Sequence, residues 1–314
     1  MVSIRDLVFE SHDKEFAVTS ESILVTGASG ALGRLVTRSL IERGSAGVIA
    51  GSRSTETVAD AVGKAIPVRH VDFDDPAGLR SAFVRVDTVL IISTDELANP
   101  GRRKRQHRNA LEAAIAAGVL RVAYTSMPQP ELSPSVPFAP DHADMEAAIT
   151  RSGLDHTILR NGWYQENLLG YLPQIVASGT WFTAAGDGRI PFVSRADTAE
   201  ATAIVLDETH GSGVLDIAGP EYQTIEEIAA AVEEVVDRRI AVEHVSPDRL
   251  ATELARQGVP AWMVPMVVAT DANQHDGAFE VGPGALARLL GRTPTTVSEF
   301  LVRHADRLLA PIHL

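Results

Sequence analysis

A glycine-rich segment between two apolar stretches constrains the fold of this chain more than any other feature. The segment ILVTGASGALGRLVTRSLIERG, residues 23–44, has glycines at positions 27, 30 and 33. In a strand–loop–helix unit, Gly27 allows a tight exit from the strand, Gly30 lets backbone amides approach a pyrophosphate, and Gly33 lets the helix pack on the sheet. Ordinary turns also use glycine, but the flanking strand and helix predict a dinucleotide-binding loop at a helix N-terminus.

Short β-branched runs alternate with helical stretches over the first half of the chain. Such alternation is typical of βαβ units, which build a parallel sheet with right-handed crossovers. The predicted strands are 23–26, 48–51, 68–72, 88–93, 122–125 and 157–159. The predicted helices are 32–43, 58–62, 77–83, 105–117 and 142–152. The predicted fold class is therefore α/β, a doubly wound parallel sheet of the Rossmann type.

The alternation fades after residue 159, and helical spacing returns only at 198–206, 224–236 and 297–309, with a predicted strand at 240–245. We therefore predict an NAD(P)-binding domain over residues 21–160. A smaller C-terminal α+β substrate-binding region follows over 161–314, of which about 190–220 returns to the main sheet. Residues 1–20 are predicted to be an N-terminal extension.

The charge and the missing cysteine narrow the classes of function. The chain has 314 residues, with 28 Lys and Arg against 41 Asp and Glu and a net charge of −13. A surface this acidic repels nucleic acid and anionic membranes, so neither is predicted as a partner. No apolar run approaches the length of a membrane span. The chain has no cysteine, which excludes thiolate chemistry and is compatible with the cytoplasm, the predicted location.

The residues after the second predicted strand indicate which dinucleotide is bound. Folds that prefer NAD place a carboxylate there for the ribose hydroxyls, whereas this chain has Gly51–Ser54, GSRS. Arg53 could bind a 2′-phosphate through charge-assisted hydrogen bonds, which predicts NADP as the cofactor. Asp72 could accept from the adenine amino group with Phe73 against the ring, and a loop-capping Asp72 is the open alternative.

The chain lacks the proton donor of ordinary short-chain dehydrogenases, a Tyr followed four residues later by a Lys. Four residues after its tyrosines at 124, 164, 171 and 222 stand Pro, Leu, Ile and Glu. Either catalysis is lost, or the acceptor takes a hydride without a strong protein acid. A quinone is such an acceptor, because the added charge spreads over an aromatic ring.

The chain resembles a known family, the NmrA-like atypical short-chain dehydrogenases, and within it the type 2 NADPH:quinone oxidoreductases. The resemblance covers nearly everything after residue 20. It rests on ILVTGASGALG, SR at 52–53, VDFDD, LIIST, QHRNALEAAIAAGV, AYTSM, HTILRNGWYQENL and AAGDGRIPFVSRAD. The stretches from LRNGWY onward are the most specific to this subgroup.

The resemblance implies a set of site residues. Those expected along the pyrophosphate are Gly27, Ser29, Gly30, Ala31, Leu32 and Gly33. Arg53 takes the 2′-phosphate. Ser93 and Thr94 flank the ribose near the nicotinamide, and its face is bordered by Thr125, Ser126 and Met127. The substrate pocket is expected to be closed by Asn161, Trp163 and Tyr164. Tyr164 and Asn161, with His142, are the candidate catalytic residues.

Several of these residues have a second reading. His142 and Glu146 are four residues apart on a predicted helix, which fits a proton relay or, better, a surface pair. A third metal ligand is not evident beside them, so no metal site is predicted. Trp163 and Tyr164 could belong to the core instead of the pocket. Arg195 and Asp197 are predicted to form an ion pair, and the basic run 102–108 is predicted to be a solvated helix start.

The resemblance implies an NADPH-dependent oxidoreductase that transfers hydride to a quinone or an extended aromatic carbonyl compound. A Pro-rich loop between residues 127 and 142 departs from the family pattern and leaves the substrate open. One alternative is a tailoring reductase or quinol-dependent oxygenase for polycyclic aromatic polyketide quinones. Another is an NmrA-type redox sensor that binds a dinucleotide without turnover. The expected partners are a small quinone or aromatic substrate and, as an open option, a second copy in a homodimer.

Overall fold

A computed structural model describes residues 21–62, 66–208, 212–282 and 284–309 of the chain. The predicted extension, residues 1–20, lies outside the described residues. In the part of the chain that is described, no helix has both the length and the apolar character needed to cross a membrane.

The strands confirm the predicted α/β class. They are β1 (Ile23–Val25), β2 (Val48–Ser52), β3 (Val68–His70), β4 (Thr88–Ile91), β5 (Arg121–Ser126), β6 (Asp155–Asn161), β7 (Thr180–Thr183), β8 (Gly213–Ile217) and β9 (Ala241–His244). Among the described residues, seven of them form one parallel sheet in the order β3, β2, β1, β4, β5, β6, β8. The order reverses between β1 and β4, and ligands of such sheets bind at the carboxyl ends of the strands at this point.

The helices cover both faces of the sheet and build the C-terminal region. They are α1 (Ala31–Glu42), α2 (Thr55–Val62), α3 (Pro76–Ala82), α4 (Arg102–Ala117), α5 (Ala139–Ser152), α6 (Gln165–Leu168), α7 (Leu172–Ser178), α8 (Arg195–Asp207), α9 (Ile225–Val236), α10 (Pro247–Arg256), α11 (Val264–His275), α12 (Ala285–Leu290), α13 (Val297–Arg303) and α14 (Ala305–Leu308). A short 3-10 helix, Pro130–Leu132, lies between β5 and α5.

The alternation of side chains along each strand explains the two covered faces. On β1, Leu24 packs into one buried cluster, whereas Ile23 and Val25 pack into another on the opposite face. The second cluster includes the apolar stripe of α1, with Leu32 and Val36 buried. Both faces of a parallel sheet must be covered in this way because βαβ crossovers place helices on each side.

The C-terminal region packs around a buried cluster that also includes Met127, Val136 and Ala139, and it returns to the main sheet. Its buried cluster joins α7, α9, α13 and β7, and β7 pairs with β9 in a separate two-stranded parallel sheet. β8 pairs with β6 in the main sheet, and α8 packs against α1. The helix predicted over 297–309 is interrupted at His304, whose Nδ1 lies 2.8 Å from the Phe300 carbonyl oxygen.

Candidate functional site

The glycine loop between β1 and α1 has the geometry of a cradle for an anion. Gly27 has a φ of +62°, which favours glycine, and a Cβ on Gly33 would lie 2.2 Å from the Gly27 carbonyl oxygen. A Cβ on Gly30 would meet only that oxygen, at 3.2 Å, so the other side of Gly30 is open. Gly30 is also the N-cap of α1, and no side chain caps that helix. The first turn is therefore left to an anionic ligand.

The end of β2 places a cation beside this loop. The Ser52 hydroxyl donates to the Ser29 hydroxyl at 2.9 Å and accepts from the Ser54 amide at 3.0 Å, so the two loops are held together. Arg53, between these serines, is exposed. No acceptor within the described residues contacts its guanidinium, which leaves the charge available to a ligand. Arg34, on the first turn of α1, is exposed as well.

The residues after β3 have local structural contacts. The Asp72 carboxylate accepts from the Asp74 amide at 3.0 Å. This is the loop-capping contact that the sequence analysis named as the alternative to adenine binding. Phe73 is buried with Leu79 and Phe83, and its carbonyl oxygen accepts from Asn109 at 2.8 Å. Contact of Asp72 and Phe73 with an adenine therefore stays a prediction.

A cavity of about 220 Å³ opens at the carboxyl ends of β4, β5 and β6. It brings together predicted residues that are far apart in the sequence: Ser93, Thr94, Thr125, Ser126, Met127, His142, Asn161, Trp163 and Tyr164. It is also lined by residues that the sequence analysis did not assign to the site: Asp95, Leu97, Arg103, Phe138 and Asn167. The cavity lies where the strand order predicts a ligand.

Hydrogen bonds fix the side of the cavity formed by β4 and β5. The Thr125 hydroxyl oxygen accepts from the Ser93 amide at 2.9 Å, and the Thr94 hydroxyl donates to Gln106 Oε1 at 2.9 Å. The Ser126 hydroxyl donates to Glu146 Oε1 at 2.5 Å. Because the Ser126 proton is already committed to Glu146, this hydroxyl is a poor proton donor to a substrate.

Asn161 and Tyr164 form the opposite side. Asn161 is 5% exposed, and its Nδ2 donates to the Tyr164 hydroxyl at 3.2 Å. The Asn161 Oδ1 is buried without a hydrogen-bond partner among the described residues, and such an atom in a cavity calls for a donor on a ligand. Burial raises the pKa of Tyr164 to about 12, and the Arg195 guanidinium lies 4.6 Å from the centre of its ring.

Aromatic rings form the walls. Phe138 and Trp163 have ring centroids 6.1 Å apart and planes inclined by 27°. Trp163 also contacts Phe279, with centroids 4.5 Å apart. Trp163 therefore both lines the cavity and packs on the C-terminal core, so its two readings are compatible. A flat apolar wall of this kind suits an aromatic ligand.

The interpretation of His142 and Glu146 as a surface pair is wrong, because both side chains are buried. They do not contact each other: Glu146 Oε2 accepts from Arg160 at 2.7 Å, and His142 Nε2 lies 2.8 Å from Arg103 Nη2. On the other side, His142 Nδ1 lies 2.8 Å from the Tyr124 hydroxyl. Burial is the main cause that holds the pKa of His142 well below its usual value.

The buried network continues from Tyr124 to His107 on α4. The Tyr124 hydroxyl lies 3.3 Å from His107 Nδ1, and His107 Nε2 accepts from the Thr94 amide at 3.1 Å. Burial and the nearby Arg103 charge lower the pKa of His107 to about 3. Burial also raises the pKa of Tyr124. Both imidazoles are therefore neutral at physiological pH.

Two further sequence interpretations are wrong. The basic run is not simply a solvated helix start, because α4 begins at Arg102 and buries Arg103 and His107. Arg195 and Asp197 do not pair, since residues two apart on a helix point in different directions. Arg195 donates to Asn167 at 2.9 Å, and Asp197 accepts from Arg292 at 2.7 Å.

No group of three or more ionisable ligand side chains within the described residues could hold a metal ion.

A family model described as NAD(P)H-binding matches residues 27–209. The chain belongs to this NAD(P)H-binding family. The match starts at the first glycine of the loop and runs through α8, so it spans more than half of the chain and includes all of the predicted cofactor residues.

Two curated relatives confirm the resemblance to NmrA-like proteins and type 2 quinone oxidoreductases. Quinone oxidoreductase 2 of Escherichia coli is 35% identical over 279 residues, which cover 88% of this chain and 96% of that protein. An NmrA-like family domain-containing oxidoreductase of Aspergillus flavus is 30% identical over 298 residues, covering 90% of this chain and 96% of the relative.

Two solved structures of reductases with a bound nicotinamide cofactor also match this chain. The NADPH-dependent quinone oxidoreductase of Escherichia coli, crystallised with NADPH, matches with a TM-score of 0.84 and 34% identity, over 90% of this chain and 99% of that chain. The triphenylmethane reductase of Citrobacter sp., crystallised with NADP(H), matches with a TM-score of 0.82 and 30% identity, over 90% and 99%.

Proposed function

We propose that this protein is an NADPH-dependent oxidoreductase that transfers a hydride to a small quinone. The observation that carries the proposal is a polar cavity with aromatic walls at the carboxyl ends of β4, β5 and β6, next to the glycine loop and without a Tyr–Lys pair. The similarity to Escherichia coli quinone oxidoreductase 2 supports the same reading.

The residues around the loop fit NADPH. The open side of Gly30 leaves room for a pyrophosphate at the uncapped start of α1. Arg53, flanked by Ser52 and Ser54, supplies a free guanidinium for the 2′-phosphate. Ser93 and Thr94 lie at the end of β4, the neighbour of β1 in the sheet, where the ribose next to the nicotinamide is expected.

NADPH supplies the hydride when it is bound. The chain orients the acceptor: Phe138 and Trp163 provide a flat wall, and Asn161 offers an unsatisfied buried oxygen. The cavity has a volume of about 220 Å³, part of which has to accommodate the nicotinamide of NADPH. A quinone needs little acid catalysis, so correct positioning dominates the rate.

The deciding experiment follows NADPH absorbance during addition of a simple naphthoquinone. The proposal expects one NADPH oxidised per quinone reduced, with a primary isotope effect from NADPH deuterated at the transferred position. Tight NADPH binding without turnover of any quinone would contradict the proposal and favour a redox sensor.

The chain offers a matched pair of tryptophans as a control. Trp163 lines the cavity, whereas Trp262 is 67% exposed on the loop between α10 and α11. We expect Trp163→Leu to raise the KM for the quinone by up to about tenfold, the value of an aromatic contact. Trp262→Leu should leave both kcat and KM unchanged. Equal effects of the two substitutions would argue against the cavity as the quinone site.

A further inference from the structure

Arg103 is a buried cation in the wall of the cavity. It lies on the first turn of α4 with 4% of its surface exposed, and its guanidinium donates hydrogen bonds in three directions. Nε donates to the Thr94 carbonyl oxygen at 2.7 Å, Nη1 donates to the Phe138 carbonyl oxygen at 3.2 Å, and Nη2 contacts His142 Nε2 at 2.8 Å. All three partners line the same cavity.

The direction of these bonds determines where the protons of His142 lie. A guanidinium has donors only, so His142 Nε2 must be the acceptor. The proton of the neutral imidazole is then on Nδ1, which donates to the Tyr124 hydroxyl oxygen at 2.8 Å. His107 has the same arrangement, because its Nε2 accepts from the Thr94 amide, and its Nδ1 also faces Tyr124.

We propose that Arg103 is a positioning residue that holds His142 neutral, with its Nε2 lone pair bound to the guanidinium, and places a fixed positive charge beside the acceptor oxygen. The proposal rests on the proposed function. His142 then has no proton to give on its cavity side, so it is not the proton donor of the reaction.

The electron and proton balance fits this arrangement. Hydride transfer oxidises NADPH to NADP⁺ and reduces the quinone to its hydroquinone monoanion, which then takes one proton from water. The charge that develops on the oxygen is met by the guanidinium, which keeps uncommitted N–H groups after three bonds, because arginine has five. A preorganised donor directed at a developing negative charge stabilises the transition state.

The charged surroundings support a fixed role for Arg103. His142 is faced by Arg103 and His107 from α4 and by Tyr124 from β5. On its own helix α5, Asp141 lies 3.8 Å from Arg103. The carboxylate at 146, one turn along α5, is engaged by Arg160 of β6, and this Arg160 also pairs with Glu131 of the 3-10 helix. Asp141 thus partly balances the Arg103 charge but reaches neither imidazole.

The first test measures proton positions and does not need activity. Nitrogen-15 correlation spectra of the ten histidines report imidazole tautomers, with His142→Asn used to assign the signal. We expect His142 in the wild type to carry its proton on Nδ1 and not to titrate from pH 7.5 to 5.5. In Arg103→Met the Nε2 atom of His142 loses its donor, so part of the His142 population should carry its proton on Nε2 instead. A wild-type His142 with its proton on Nε2 would overturn the proposal.

The second test measures rates with a naphthoquinone as the probe. Arg103→Met should lower kcat/KM by about 10²-fold, the effect of losing a fixed donor to a developing oxyanion. Arg103→Lys keeps the positive charge but loses the planar set of guanidinium donors. Its kcat/KM should lie between those of Arg103→Met and the wild type. Arg105→Met, at an exposed position on the same helix, is the control. It should leave kcat/KM and the His142 signal unchanged.

The outcomes separate the two proposals. If the wild type does not turn over quinones, the proposed function is wrong. The nitrogen-15 spectra still show which ring nitrogen of His142 carries the proton. If Arg103→Met does not fold, Arg103→Lys decides through its rate and its spectrum. An Arg103→Lys variant with wild-type kcat/KM and an unchanged His142 signal would show that the planar guanidinium is not needed, and would overturn the proposal.

Discussion

The glycine loop and the cavity meet at the same edge of the sheet but are built in different ways. The loop is made of backbone from one continuous segment, with Gly27, Gly30 and Gly33 close in sequence. The cavity is made of side chains from β4, β5, β6, α4 and α5, and its polar groups are fixed by contacts between residues such as Thr94 and His107. The loop therefore depends on local conformation, whereas the cavity depends on how distant elements pack.

This difference predicts how each region responds to change. A single Cβ can block the loop, because the ligand must approach the backbone itself. The polar groups of the cavity are linked in a network, so a change at one of them also affects its neighbours. The largest effects on binding are therefore expected at the loop, and the largest effects of pH at the cavity.

The strongest expected effect is loss of dinucleotide binding in Gly30→Val. The new branch would fill the open side of Gly30, where the phosphate is expected, while it meets only the Gly27 carbonyl oxygen at 3.2 Å. Calorimetric titration should find no NADPH binding, with thermal unfolding close to that of the wild type. The matched control is Gly213→Val on β8, where a Cβ meets nothing within 4 Å, and it should bind normally. Normal NADPH binding by Gly30→Val would reduce the loop to a simple turn.

The second effect tests the cavity through the pH dependence of stability. His107 and His142 are neutral in the fold, with pKa values lowered mainly by burial, and both titrate near 6.5 when unfolded. Below pH 6.5 the unfolded chain binds protons that the native chain does not. The free energy of unfolding therefore has its full value above this pH and decreases below it. Together the two histidines should lower the free energy of unfolding by about 3 kcal/mol between pH 7.5 and 5.5.

Urea unfolding at the two pH values measures this loss. The double variant His107→Gln/His142→Gln should be nearly insensitive to pH over the same range, although less stable. His70→Gln, at an exposed position, should keep the wild-type dependence. If the wild type shows no loss between pH 7.5 and 5.5, the two imidazoles are not held neutral by the fold.

The sequence predicted the loop side of the molecule well because its signals are local. The glycines, the apolar run of β1 and the apolar stripe of α1 lie within 22 consecutive residues, 23–44. The parallel sheet follows from the same kind of local alternation. The resemblance then supplied cavity residues such as Thr125 and Asn161, which periodicity could not have assigned.

The cavity network could not be predicted because its residues pair across long separations. Arg103 and His142 are 39 residues apart, and a helical pair such as His142 and Glu146 looks like a surface pair until α5 is packed. One signal was available for Arg103: it shares a helical face with His107, Ala110 and Ala114, all of which are buried. Phe138 gave no such signal, because it lies in the Pro-rich loop, where spacing carries no period.

The third effect concerns the choice of cofactor at the loop. Arg53 has no partner among the described residues, so its charge is free for the 2′-phosphate of NADPH. A hydrogen bond to a charged group contributes about 1.5–3 kcal/mol, or about ten- to a hundredfold in affinity. Calorimetry should find that Arg53→Ala weakens NADPH by this factor and leaves NADH unchanged. Arg34→Ala, also exposed, is the comparison. Equal affinities of the wild type for NADPH and NADH would contradict the assignment of Arg53 to the 2′-phosphate.

The smallest effect is expected at Tyr164, in the cavity, and it tests whether the protein needs a tyrosine acid at all. Burial raises the pKa of Tyr164 to about 12, so its proton is held more tightly than usual and is poorly matched to neutral pH. Tyr164→Phe removes one neutral hydrogen bond with Asn161, worth about 0.5–1.5 kcal/mol, so quinone reduction should fall by no more than about tenfold. Steady-state rates with deuterated NADPH check this, with Tyr171→Phe, a position 39% exposed, as the control. A loss beyond about 10³-fold would mean that Tyr164 acts as a general acid, and the cavity would then depend on one residue as strictly as the loop depends on Gly30.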